Sequence, residues 1–124
     1  MQAGNPWAAG QLRTDVVVVD GSVCVRLQGE LDLATAPDLW RACEVLDGQL
    51  EPGLSVFVDL AGLQFLDAAG LGTLVRLRNR VRDAGAHLSV LDPSPPIRRV
   101  FEHARLEALV DSAAAAGDGS AAPC

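Results

Sequence analysis

Residues 54–74 change hydrophobic period partway along, and that change constrains the fold more than any other feature of the chain. Residues 54–60 form a short apolar run containing Val56, Phe57 and Val58, the composition of a strand covered on both faces of a parallel or mixed sheet. From Asp67 onward the period lengthens. Leu71, Leu74, Leu77 and Val81 recur at three- and four-residue steps, so an amphipathic helix is predicted to begin near Ala69 or Gly70. Asp59 falls at the carboxyl end of the strand, a tight connection follows, and Asp67 lies close to the helix amino terminus.

The flanking segments repeat the alternation. Residues 15–19 are a β-branched run, Asp20-Gly21 is a turn pair, and Val23, Val25 and Leu27 alternate with Cys24, Arg26 and Gln28, which together read as a β-hairpin. Thr35-x-x-Asp38 has the form of a capping box, with Pro37 in the first turn of a helix whose apolar face is Leu39, Cys43, Leu46 and Leu50. Trp40 lies beside that stripe, partly exposed, as a cover for the core margin or as a partner contact. Gly85 is placed to end the next helix, and residues 87–91 form a strand stopped by Asp92-Pro93. Ser94-Pro95-Pro96 opens a further helix with Ile97, Val100 and Phe101 on its apolar face, and residues 108–111 suit a last short strand. Residues 1–14, with Gly4, Pro6 and Gly10, read as a flexible leader on which Trp7 is able to dock back; residues 15–112 form the domain, and 113–124 a flexible tail. Strands alternating with helices after a hairpin imply an α/β domain.

Composition narrows the function. A chain of 124 residues fits one domain. A net charge of -6, a pI near 4.7 and the absence of tyrosine argue against nucleic-acid binding, which needs a basic footprint or stacking platforms. Cys24, Cys43 and Cys124 lack metal-ligand spacing and read as reduced thiols, the first two as small buried hydrophobes. Residues 1–14 lack a signal-peptide pattern, and no apolar run approaches the roughly 20 residues needed to span a membrane, so a soluble cytoplasmic protein without membrane insertion is expected. His87, His103 and the Gly70-x-Gly72 pair complete no catalytic set or phosphate loop, so neither catalysis nor a cofactor is expected. Arg76, Arg78, Arg80 and Arg82 spread around the helix, as a solvated face or a docking surface for an acidic partner.

Val58-Asp59-Leu60 followed by Phe65-Leu66-Asp67-Ala68-Ala69-Gly70-Leu71-Gly72 resembles the signature of STAS domains, the anti-sigma factor antagonists of bacteria. Gly29-Glu30-Leu31-Asp32-Leu33-Ala34-Thr35-Ala36 resembles the family's second motif, at the expected distance upstream. The resemblance covers roughly residues 15–112 and implies a single STAS domain: a small mixed β-sheet with helices packed largely on one face. It also implies a partner, an anti-sigma factor of the serine-kinase fold, met by a surface around Asp32, Thr35, Asp67, Ala68, Ala69 and Gly70.

One departure bears on regulation. In antagonists of the family the residue just before the motif's glycine is a serine or threonine that the partner kinase phosphorylates; here it is Ala69, preceded by Ala68. A methyl group has no oxygen to attack phosphorus, so an antagonist without that switch is expected. Thr73, one turn further on, is an alternative acceptor, with Thr35 and Ser94 behind it. Two other readings stay open: a STAS subunit of a membrane lipid or anion transport complex docking on its ATPase, and a non-phosphorylated scaffold or ligand sensor.

Overall fold

The computed structural model describes residues 11–19 and 21–110, so the readings of Trp7, Asp20, Cys124 and the tail beyond residue 110 lie outside the described residues. The chain runs β1 (Leu12–Val19), β2 (Ser22–Leu31), α1 (Ala36–Ala42), a 3-10 turn (Cys43–Gly48), β3 (Ser55–Leu66), α2 (Ala68–Asp83), β4 (His87–Leu91), α3 (Pro95–His103) and a last 3-10 turn (Glu107–Leu109). The strands form one mixed sheet in the order β1-β2-β3-β4. β1 pairs antiparallel with β2, whereas β2 with β3 and β3 with β4 are parallel. Crossover helices are needed for those parallel pairs, and α1 and α2 supply them.

The hairpin forms as its alternation predicts, but β1 begins at Leu12, inside the stretch assigned to a leader. The extra pairing has a clear anchor: the Gln11 carbonyl accepts from Glu30 N at 2.8 Å. A side chain at Gly29 would overlap that carbonyl, and Gly29 has a φ of +105°, so glycine is required there.

The central strand departs most from expectation. β3 does not stop at Asp59 but continues to Leu66, and the tight connection is absent. Register shifts against β2, between Arg26 and Gln28 and between Gly29 and Glu30, absorb the irregularity and let pairing carry on. Nor is the strand covered equally on both faces. Val56, Val58 and Leu60 are fully buried while Ser55, Phe57 and Asp59 are half-buried, and Asp59 pairs with Arg26 of β2 at 3.6 Å.

The core joins Val23, Val25 and Leu27 of β2, the inward residues of β3, and Leu39, Leu74, Leu77 and Phe101 of the helices. Helices α1 and α2 lie against each other, and α3 packs on β3. Both long helices end in the left-handed turn that satisfies their last carbonyls. At α2, Ala86 N bonds Val81 O and Gly85 N bonds Arg82 O, with Gly85 at φ 81° as its position predicts. The expectation of a strand over residues 108–111 is corrected as far as residue 110: Ala108 and Leu109 lie in a 3-10 turn, and Val110 makes one isolated parallel bridge to Val90. Cys24 corrects the reading of three free thiols, being disulfide-bonded, whereas Cys43 is free and buried.

Candidate partner-binding surface

The two motifs meet through one carboxylate. Asp67 caps α2: its Oδ1 accepts from Gly70 N at 2.8 Å, and its Oδ2 accepts from Leu33 N at 3.3 Å in the loop after β2. Asp67 N in turn donates to Leu31 O at 3.3 Å. Gly70 lets the helix start press against that loop, since a Cβ there would overlap the Leu31 carbonyl. Residues 34 positions apart in sequence are thereby fixed as one surface.

Asp32 and Thr35 build the other half. Asp32 Oδ1 accepts from Ala34 N and Thr35 N, each at 3.0 Å, an Asx turn in which the carboxylate stands in for a backbone carbonyl. The capping-box reading of Thr35 is corrected. Thr35 occupies the cap position of α1, but its hydroxyl makes no cap bond. It donates to Glu30 O at 2.9 Å and accepts from Asp32 N at 2.9 Å, and Thr35 is only 1% exposed. The hydroxyl is committed to holding the loop.

Ala68 is exposed, Ala69 half-buried and Gly70 buried, in the order expected along the first turn of a docked helix. Ala69 lines a groove of about 570 Å³ between α1 and α2, with Leu33, Trp40, Thr73 and Arg76 also in its walls. Thr73 is 6% exposed and its hydroxyl donates back to Ala69 O at 3.1 Å, the usual resting place of a threonine inside a helix.

Two features escaped the sequence reading. Leu33 is 75% exposed and Phe65 47% exposed, so apolar side chains flank the motif loops on the outside. The available signal was a leucine set between Asp32 and Ala34 in a segment otherwise made for turning. The second feature is the stacking of Arg76 and Arg80 over the Trp40 ring, at 4.5 and 5.1 Å from its centroid. Arg80 also pairs with Asp47. The arginines of α2 therefore divide: this pair closes the α1–α2 seam, while Arg78 and Arg82 lie elsewhere on the helix. Among the described residues no cluster of three or more His, Cys, Asp or Glu is placed to hold a metal ion, and no helix is long and apolar enough to cross a membrane.

The fold is a small α/β domain built on one mixed sheet. Residues 13–116 match the STAS domain family, and the chain belongs to that family. An anti-sigma-B factor antagonist from Staphylococcus epidermidis is 31% identical over 100 residues, covering 80% of this chain and 90% of that protein. An anti-sigma F factor antagonist from Paenibacillus polymyxa is 32% identical over 82 residues, 66% of this chain and 69% of that protein. The crystal structure of an anti-sigma factor antagonist from Mycobacterium paratuberculosis superimposes with a TM-score of 0.72 at 26% identity, covering 83% of this chain and 86% of that one. These relatives are named as regulators, not as enzymes.

Proposed function

We propose that this protein is an anti-sigma factor antagonist that docks an anti-sigma factor of the serine-kinase fold and so frees a sigma factor in the cytoplasm. The docking surface comprises Asp32, Thr35, Asp67, Ala68, Ala69 and Gly70. The observation that carries this reading is the Asp67 carboxylate bonded to both Gly70 N and Leu33 N, which makes the two family motifs one rigid face edged by the exposed Leu33. Its relatives share the name of antagonist, which supports the same partner class.

Ala69 removes the phosphate acceptor, and Thr73 does not replace it, because its hydroxyl is buried and already donates to the helix backbone. The antagonist is then governed by its abundance. A pull-down from native lysate with the bound proteins identified by mass spectrometry is expected to return a serine-kinase-fold anti-sigma factor; a transport ATPase in its place, or no specific partner, would defeat the reading. With the captured kinase and ATP, the native chain is expected to stay unlabelled while Ala69→Ser takes phosphate at residue 69. The new dianion would lie beside Asp67 at a helix amino terminus, where backbone N–H groups favour it and the carboxylate opposes it, so the phosphorylated variant is expected to release the partner. Phosphate on Thr73 of the native chain would contradict the absence of a switch.

A further inference from the structure

Far along α2 from Asp67, a second cavity of about 400 Å³ gathers positive charge. Arg78 and Arg82 from α2, His87 from the start of β4 and Arg105 from the turn after α3 line it, and Leu88 and Leu106 give it an apolar wall. Arg78 and Arg82 are helix neighbours and lie across α2 from Arg76 and Arg80, so the Trp40 stack does not occupy them. Among the described residues no acidic side chain lines this cavity. In a chain of net charge -6, three of the ten basic residues thus converge on one concave site.

Their hydrogen bonding is incomplete. Arg82 Nη2 donates to the neutral Asn79 side chain at 3.2 Å, and none of these three arginines enters an ion pair among the described residues. Arg78 Nε is buried and has no acceptor. A charged donor closed off from water without an acceptor is unfavourable, and an oxyanion held in the cavity offsets that charge through the guanidinium groups of Arg78, Arg82 and Arg105 that line it.

The backbone adds an independent observation. Helix α3 ends in the same left-handed turn as α2, with Leu106 N bonded to Phe101 O and Arg105 N to Glu102 O. At α2 the left-handed residue is Gly85; at α3 it is Arg105, at φ 59°. A position that glycine fills at least conformational cost here holds a guanidinium that lines the cavity. Planar guanidinium groups match carboxylate and phosphate oxygens in paired hydrogen bonds.

We infer that this cavity binds a small ligand with an oxyanion head, carboxylate or phosphate, and an apolar body that rests on Leu88 and Leu106. The test follows amide and arginine Nε resonances of the full chain by NMR, with hexanoate and hexyl phosphate as probes and sodium chloride at matched ionic strength as reference. Saturable shifts centred on Arg78, Arg82, His87 and residues 105–109 are expected with at least one probe, and the probe that binds identifies the head group. Arg105→Gly keeps the left-handed backbone, so its melting temperature is expected not to fall while binding weakens by roughly tenfold. Arg82→Ala, at an exposed helix position, is expected to weaken binding similarly. Shifts that do not saturate, that equal those with chloride, or that survive both substitutions would overturn the site.

Discussion

Asp67 joins local and long-range structure with a single side chain, because one carboxylate oxygen caps its own helix and the other holds a loop from a different part of the chain. Replacing it with alanine removes both acceptors. The cap alone is worth about 1–2 kcal/mol, so Asp67→Ala is expected to lower the unfolding free energy by at least that amount in urea titrations. It is also expected to speed hydrogen exchange at Leu33 N, which a role confined to capping α2 would leave unchanged. The capping role was legible in the sequence because a cap is a local event, set by an Asp just ahead of a periodic apolar run. The bond to Leu33 was not, since nothing local marks a partner in another loop. Thr35 shows the reverse error. A capping pattern was present, but the Glu30 carbonyl, to which the hydroxyl donates, and the Asp32 N–H, from which it accepts, claimed that group first. Residue pattern predicts which groups are able to bond, and tertiary placement decides which do.

At the scale of elements, α2 contains two glycines with opposite physics. Gly70 is buried where the helix crosses β2, and an added methyl would overlap the Leu31 carbonyl, which is backbone and cannot rotate aside. Gly72 is exposed, with no atom within 4 Å of the place a Cβ would occupy. Gly70→Ala is therefore expected to destabilise the fold by about 1–3 kcal/mol, as overpacking does. Gly72→Ala is expected to stabilise it by roughly 0.5–1 kcal/mol, through better helix propensity and a less flexible unfolded chain. Thermal unfolding of the two variants beside the parent checks the contrast; equal effects would mean that the close approach of α2 to β2 is wrong. The helix itself was plain from its period, whereas the length of β3 was not. Ala61-Gly62 looks like a connection, yet Gly62 stays in the sheet, where a Cβ would press on the Gln28 side chain of β2. Bulged pairing depends on the partner strand, and a single strand's pattern does not record it.

For the molecule as a whole, the composition isolates one ionisation. The chain has no tyrosine, and all ten of its basic residues are arginines, so almost nothing titrates between pH 9 and 11 except thiols. Cys43 is fully buried in the core beside Leu39 and Leu46, and burial pushes its thiol up from 9.0 to about 11, with the Arg80 guanidinium partly opposing the rise. The sign follows from proton count. Above pH 9 the unfolded chain begins to lose the Cys43 proton while the folded chain still holds it, so rising pH favours unfolding. The stability is fully present below the unfolded pKa and is lost as pH climbs to about 11, where the folded thiol ionises too. A shift of about two units corresponds to a loss on the order of 2–3 kcal/mol. Urea unfolding from pH 8 to 11 is expected to show that decline, and Cys43→Ala to flatten it while lowering stability at neutral pH through the small void it leaves. A parent curve already flat across the window would mean that the thiol is not held in an apolar core, and with it the packing of the α1 face against the sheet would have to be redrawn.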